Sequence, residues 1–162
     1  MKKSIILRIF FGILIIATMV LIFLFSSENG SKSTNTSKGT VRAVVAKFEK
    51  DETKVEKKVE AIEPASRKVA NFTVYTFLGI WTMSFCSTFS NLSFKKKIVI
   101  VVIFGFLYAC SDELHQLFVS KRSASLRDVF LDTLGATNGA LIVEIIIQCY
   151  KNITNITKPL NH

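Results

Sequence analysis

Three cysteines, two prolines, seven glycines and one tryptophan are all that the 162 residues contain of these types. An odd and sparse set of cysteines builds no disulfide framework. Cys86, Cys110 and Cys149 sit in apolar stretches, where a free thiol is expected to pack as a small hydrophobe. So little glycine and proline excludes collagen-like and low-complexity architectures. Acidic residues are also short, 12 against 21 basic ones, which leaves a net charge of +9. Apolar residue, by contrast, is plentiful at 49%, with a mean hydropathy of +0.39. That excludes a disordered chain, which cannot bury enough apolar surface to order itself. Because 20% of the residues are nevertheless charged, the two classes must be segregated along a chain long enough for about one domain.

The apolar residues fall into four segments, at residues 5–25, 69–89, 98–119 and 126–150. At ~1.5 Å rise per residue each can cross the ~30 Å hydrocarbon core of a bilayer as a helix. The first has Arg8 as its only charge, near enough to the end for its stem to snorkel. Phe25-Ser26-Ser27-Glu28 offers no small-residue cleavage site, so an uncleaved anchor is expected rather than a signal peptide. The second segment is diluted by Thr73, Thr76, Thr82 and other hydroxyls, which can bond a carbonyl one turn back or a neighbouring helix. The third is purely apolar only to Cys110. The fourth carries Arg127, Asp128 and Asp132 near its start and Glu144 further on.

Residues 26–67 form a charged insert between the first two segments. Its first part reads as a flexible polar linker. After it Val41, Val44, Val45, Phe48, Val55, Val59 and Ile62 recur at helical spacing, interrupted at Asp51-Glu52. The pattern predicts an amphipathic helix ending at Pro64, lying on the membrane or over the helix ends. A solvated connector helix laced with i,i+4 ion pairs competes with that reading.

Basic residues collect on the cytoplasmic side of short loops. Lys2, Lys3 and Arg8, then Lys95-Lys96-Lys97, then Lys151 and Lys158 all agree with both termini cytoplasmic and the insert outside. The exception is the last connection, whose Lys121 and Arg122, followed by Arg127, fall on the outer face. Around them stand Asp112, Glu113, His115, Gln116, Asp128 and Asp132. On helices, Asp112, His115 and Gln116 share one face and Asp128 and Asp132 another. Three readings compete: an ion-pair network fastening two helices, a site for an anionic headgroup with arginine forks held by carboxylates, and a metal or acid–base site. Gly135 and Gly139, flanked by Ala136 and Ala140, have the spacing that lets two helix backbones approach closely.

The stretch from Ser111-Asp112-Glu113-Leu114-His115-Gln116 to Val119, with Arg122-Ser123, Arg127-Asp128-Val129 and Asp132-Thr133-Leu134-Gly135-Ala136…Gly139, closely resembles the signature of the VanZ-like family. Phe25-Ser26-Ser27 is similar to that family's Phe-Ser-Ser element. Arg67-Lys68-Val69-Ala70-Asn71-Phe72 with Tyr75 and Leu78-Gly79 is similar to its Arg-Lys-x-Ala-His-Phe-x-x-Tyr-x-x-Leu-Gly element. The chain departs in having Asn71 for the histidine, Val74 before the tyrosine, Ser120-Lys121 for a Pro-Gly pair, and a longer first loop. An amide cannot titrate near neutrality, so Asn71 keeps a binding role better than an acid–base one. The resemblance implies a small integral membrane protein associated with decreased susceptibility to teicoplanin, and supplies no reaction.

The expectation is therefore an all-α polytopic membrane protein, a single domain over 1–162, with four transmembrane helices and an extracytoplasmic amphipathic helical insert. The expected ligand-binding residues are Arg67, Asp112, Glu113, His115, Gln116, Arg122, Arg127, Asp128 and Asp132, with Arg122 and Arg127 contacting an anion. Gly135 and Gly139 are assigned to helix packing. No cofactor and no metal are expected. The partners are the lipid bilayer and an anionic lipid headgroup or cell-wall precursor lipid. Nucleic acid is not among them, because the positive charges spread over loops on both faces. An enzyme acting on envelope lipid or its phosphate, and a scaffold recruiting a partner through residues 40–62, are the competing functions.

Overall fold

A computed structural model describes residues 2–27, 30–119 and 124–156. Among them the fold is five helices joined by short connections: α1 (Lys2–Ser27), α2 (Gly30–Val45), α3 (Glu52–Ser87), α4 (Phe94–Gln116) and α5 (Leu126–Ile156). Four are long and apolar enough to cross a membrane, over Ser4–Ser27, Glu52–Ser87, Phe94–Gln116 and Leu126–Thr154. The outward faces of α1, α4 and α5 carry exposed Ile, Leu, Val and Phe along most of their length, and α3 exposes Ile62, Val69 and Phe77, as a lipid-facing surface requires. The spans run up and down. Arg8 near the start of α1 donates to the Thr88 hydroxyl and carbonyl just past α3, at 3.2 and 3.3 Å. At the other end Tyr108 of α4 donates to the Met19 carbonyl of α1 at 2.6 Å.

α3 is the hub and touches each of the other four helices. Its contact with α5 is backbone on backbone. A Cβ added at Gly79 would stand 1.9 Å from the Ala136 carbonyl oxygen. One at Gly139 would stand 2.0 Å from the Thr76 oxygen, and one at Gly135 2.7 Å from the Phe72 oxygen. Between lipid-solvated helices such close packing, rather than expulsion of water, holds the bundle together. Ala136 and Ala140 are buried there with Met83 and Val101, while Tyr75, Leu78, Ala109 and Ile22 form a second cluster nearer the other end. The hydroxyls that dilute α3 bond within their own helix: Thr73, Thr76 and Thr82 each donate to the carbonyl four residues back.

Two sequence expectations need correction. The insert is not a linker followed by one helix ending at Pro64. α2 begins at Gly30, inside the polar run, and a break follows before α3 starts at Glu52. α3 then passes through Pro64 and continues into the second apolar segment. Tertiary contacts override composition here: Val41 of α2 packs with Val55 and Val59 of α3, and Arg42 pairs with Glu52 and Glu56 at 2.6 and 3.0 Å. Asp51 caps the restart by accepting from the Thr53 and Lys54 amides. Pro64 is exposed, so the carbonyl it leaves without a donor can be solvated, and apolar contacts on one side and bundle contacts on the other keep the two halves in line. Phe48, at the turn between the helices, is 87% exposed instead of lying in an apolar stripe.

Two further contacts and one smaller correction, at Cys149, complete the fold. Arg8 has a protein partner as well as a place near the helix end, with its guanidinium 3.9 Å from the centre of the Phe89 ring. Glu144 is bonded within its own helix, accepting from Gln148 at 2.6 Å. Cys149 is exposed on α5, unlike the buried Cys86.

Two predictions follow from this packing. Gly79→Ala and Gly139→Ala should each destabilise the purified protein by about 1–3 kcal/mol or more through overpacking. Gly12→Ala, with nothing within 4 Å of its added Cβ, should leave the thermal midpoint unchanged in the same detergent. The second concerns the hydroxyl and amides around Asp51, Thr53 first, which hold its carboxyl below the ordinary value of 3.8. A lowered value means that the stability the cap lends is present above 3.8 and drains away as pH falls through the lowered value. The Thr53 and Lys54 amide shifts should therefore titrate with a midpoint below 3.8, and lose that titration in Asp51→Ala.

Candidate functional site

At one end of the bundle the last turn of α1, the middle of α3, the last turns of α4 and the first turns of α5 come together, with α2 lying across them. The sequence places ionisable groups in α3, α4 and α5 at this end, where insertion at membrane depth costs roughly 2.5–3.5 kcal/mol apiece. Most are committed to holding the helices. Glu113 of α4 accepts the Ser125 backbone N–H at 2.6 Å, and the Ser125 carbonyl accepts the first amides of α5. A carboxylate thus anchors the start of a helix, where the macrodipole favours an anion. Asp112 accepts from Gln116 one turn on, at 3.0 Å. Lys68 of α3 pairs with Asp128 of α5 at 3.1 Å. Glu63, buried on α3, accepts from Ser37 of α2 at 3.0 Å and lies 3.9 Å from Arg67.

Two cavities open between these groups. The first, about 300 Å³, runs under α2 between α1, α3 and α4. Its walls mix apolar side chains such as Ile22 and Val41 with the hydroxyls of Ser26, Thr36, Ser37 and Thr40. The second, about 340 Å³, lies between α3, α4 and α5 and is lined by Glu63, Lys68, Glu113, Asp128 and Asp132 among others. Arg67, Asn71 and Gln116 line both.

Three side chains here have polar atoms left over. Asp132 is 2% exposed and makes no hydrogen bond or ion pair with the described residues. The Ser26 and Tyr75 hydroxyl oxygens are buried without a partner among the described residues. An unmatched buried polar group costs about 1–3 kcal/mol.

Of the nine residues picked out from the sequence, Arg67, Glu113, Gln116, Asp128 and Asp132 line the second cavity, and Asp112 joins Arg67 and Gln116 on the first. Two go elsewhere. His115 turns to α1, with its ring 4.6 Å from that of Phe23, and its Nδ1 lacks a partner among the described residues. α4 is flanked by α1 and α5, so residues one position apart on it serve different neighbours. Arg127 is exposed at the start of α5 and lines neither cavity. Arg122 lies outside the described residues, as does Lys121. Among the described residues no three His, Cys, Asp or Glu side chains converge closely enough to hold a metal ion.

Sequence reasoning missed Lys68, Glu63, Ser26 and Tyr75 as members of this end. The Arg-Lys pair preceding the second apolar segment was a signal for Lys68, but its partner Asp128 is remote in the chain. Nothing in the hydroxyl-rich insert announces that α2 roofs a cavity.

A double-mutant cycle tests the α3–α5 pair. Because Lys68 and Asp128 are partly exposed, at 46% and 30% of their side-chain surface, the coupling between Lys68→Met and Asp128→Asn should be no more than about 1 kcal/mol. It should shrink as salt is raised.

The family model described as VanZ/LLP1 matches residues 11–147, from the middle of α1 to well into α5. No curated protein and no solved structure matches the chain. With four helices long and apolar enough to cross a bilayer, the match makes this a multi-pass membrane protein, and one that belongs to the VanZ/LLP1 family.

Proposed function

We propose that the protein is a VanZ-like component of the cell envelope that binds an anionic envelope component at the polar end of its bundle. Through that site it lowers susceptibility to teicoplanin-type lipoglycopeptides. The observation that carries the reading is Arg67. It lines both cavities, yet among the described residues its guanidinium makes one hydrogen bond, 3.3 Å to Thr34, and one loose ion pair, 3.9 Å to Glu63. A guanidinium has five N–H donors in a planar fork suited to phosphate or carboxylate, so most of its donors remain for a ligand. The carboxylates around it are largely engaged with Ser125, Gln116 and Lys68. They fix the frame and keep the site from being an indiscriminate cation. Asp132, the exception, would take a hydroxyl or ammonium group of the same ligand.

Charge supports an outward-facing site. Arg8 and Lys95-Lys96-Lys97 lie at the opposite end of the bundle, and the positive-inside bias assigns that end to the cytoplasm. Both termini are then cytoplasmic and α2 extracytoplasmic. Arg67 takes the role that the sequence assigned to Arg127, which stands exposed at the rim.

The test is the susceptibility of a sensitive Gram-positive host to teicoplanin and vancomycin, comparing empty vector, the intact protein, Arg67→Gln and Asp112→Asn at matched surface expression. Hydrogen bonds to charged groups contribute about 1.5–3 kcal/mol, enough for Arg67→Gln to return teicoplanin susceptibility to the vector level. Asp112→Asn, which disturbs the Gln116 contact, should weaken protection. Full protection in both variants would overturn the proposal.

A further inference from the structure

We infer that the cavity under α2 receives the hydroxyl-bearing headgroup of an anionic lipid, with its phosphate at Arg67. This rests on the anion reading above and names its ligand class. Two observations carry it. Ser26, 3% exposed, and Tyr75, 1% exposed, line this cavity, and neither hydroxyl oxygen has a hydrogen-bond partner among the described residues. They come from different helices, α1 and α3, and both residues line one cavity, so a single ligand there can satisfy both. A hydroxyl both donates and accepts, which suits a polyol better than a bare phosphate or a quaternary amine. α2 adds a hydroxyl row at Thr36, Ser37 and Thr40 on the same wall. Thr40 and Ser37 already donate, to the Thr36 carbonyl and to Glu63, which leaves their oxygens as acceptors for ligand hydroxyls.

The source is a lipid and not a soluble phosphopolyol because of where the wall ends. Phe25 lines the cavity and is also 55% exposed, continuous with Phe23 and Leu24 on the apolar outer face of α1. An acyl chain on that face keeps to the bilayer while its headgroup reaches inward past Ile22 to Arg67.

The full-length protein, purified in detergent, would be titrated with phosphatidylglycerol and with phosphatidic acid of the same acyl chains, and bound lipid read by native mass spectrometry. Both lipids carry the phosphate; only the first adds a hydroxylated glycerol. Phosphatidylglycerol should bind more tightly. Ser26→Ala and Tyr75→Phe should each weaken it by about fivefold, the worth of one neutral hydrogen bond, and leave phosphatidic acid unchanged, which also reports that the variants fold. Arg67→Gln should weaken both lipids. Equal binding of the two lipids by the intact protein would overturn the polyol assignment and leave the anion site standing. Binding of neither would overturn both readings. Displacement of bound lipid by millimolar glycerol 3-phosphate would overturn the lipid assignment.

Discussion

Two backbones come into close approach at the centre of this bundle. α3 and α5 meet where Gly79 faces the Ala136 carbonyl and where Gly135 and Gly139 face the carbonyls of Phe72 and Thr76. In lipid, an apolar side chain gains little by leaving one apolar neighbour for another, so surface fit decides which helices pair and in what register. The small residues permit only one alignment of these helices. That alignment puts Lys68 beside Asp128 and brings Asn71 and Asp132 to the same cavity. A shift of one residue would turn α5 by about 100° and scatter the groups. The polar end of the bundle is thus a consequence of a steric contact that begins within a turn of it and runs on below.

Given that frame, the charges at the polar end divide by role. Glu113 anchors the start of α5, Asp128 ties α5 to α3, and Asp112 is tied to Gln116 within α4. Each such engagement reduces the cost of keeping a carboxylate at membrane depth, because a buried charge is tolerated when it is paired or hydrogen-bonded. Among the described residues, what is left unengaged along the cavities includes most of the Arg67 fork, Asp132, and the hydroxyls of Ser26 and Tyr75. These leftovers line the two adjoining cavities between the helices, and unmatched polar groups gathered there point to that end of the bundle for a ligand.

The insert joins in the same construction. α3 has 36 residues, about 54 Å at 1.5 Å per residue, and so stands well past the ~30 Å core of a bilayer. Its projecting end gives α2 a surface to pack on, through Val41 against Val55 and Val59 and through Arg42 against Glu52 and Glu56. Packed there, α2 closes the first cavity with its hydroxyl row. A segment whose composition reads as a linker becomes a wall because a neighbouring helix supplies partners that composition does not show.

Read alone, the sequence established the helical class, the four apolar segments and the family signature. Each of these rests on local information: hydropathy over about twenty residues, or residue types at fixed spacing. It also pointed to most of the polar end, because charges in an apolar setting are conspicuous whatever surrounds them. It missed Ser26 and Tyr75 because a hydroxyl in a membrane helix is unremarkable until its burial and its missing partner are known. It misjudged Pro64 as an end and the polar run from Gly30 to Thr40 as a linker because both outcomes depend on contacts with chain that lies elsewhere. His115 and Gln116 are neighbours in sequence, yet only the packing of α4 between α1 and α5 sends one toward Phe23 and the other into the cavities. Hydropathy and spacing are properties of a segment and can be read from it. Which partner a polar atom finds is a property of helix register, set here by the glycines where α3 and α5 touch.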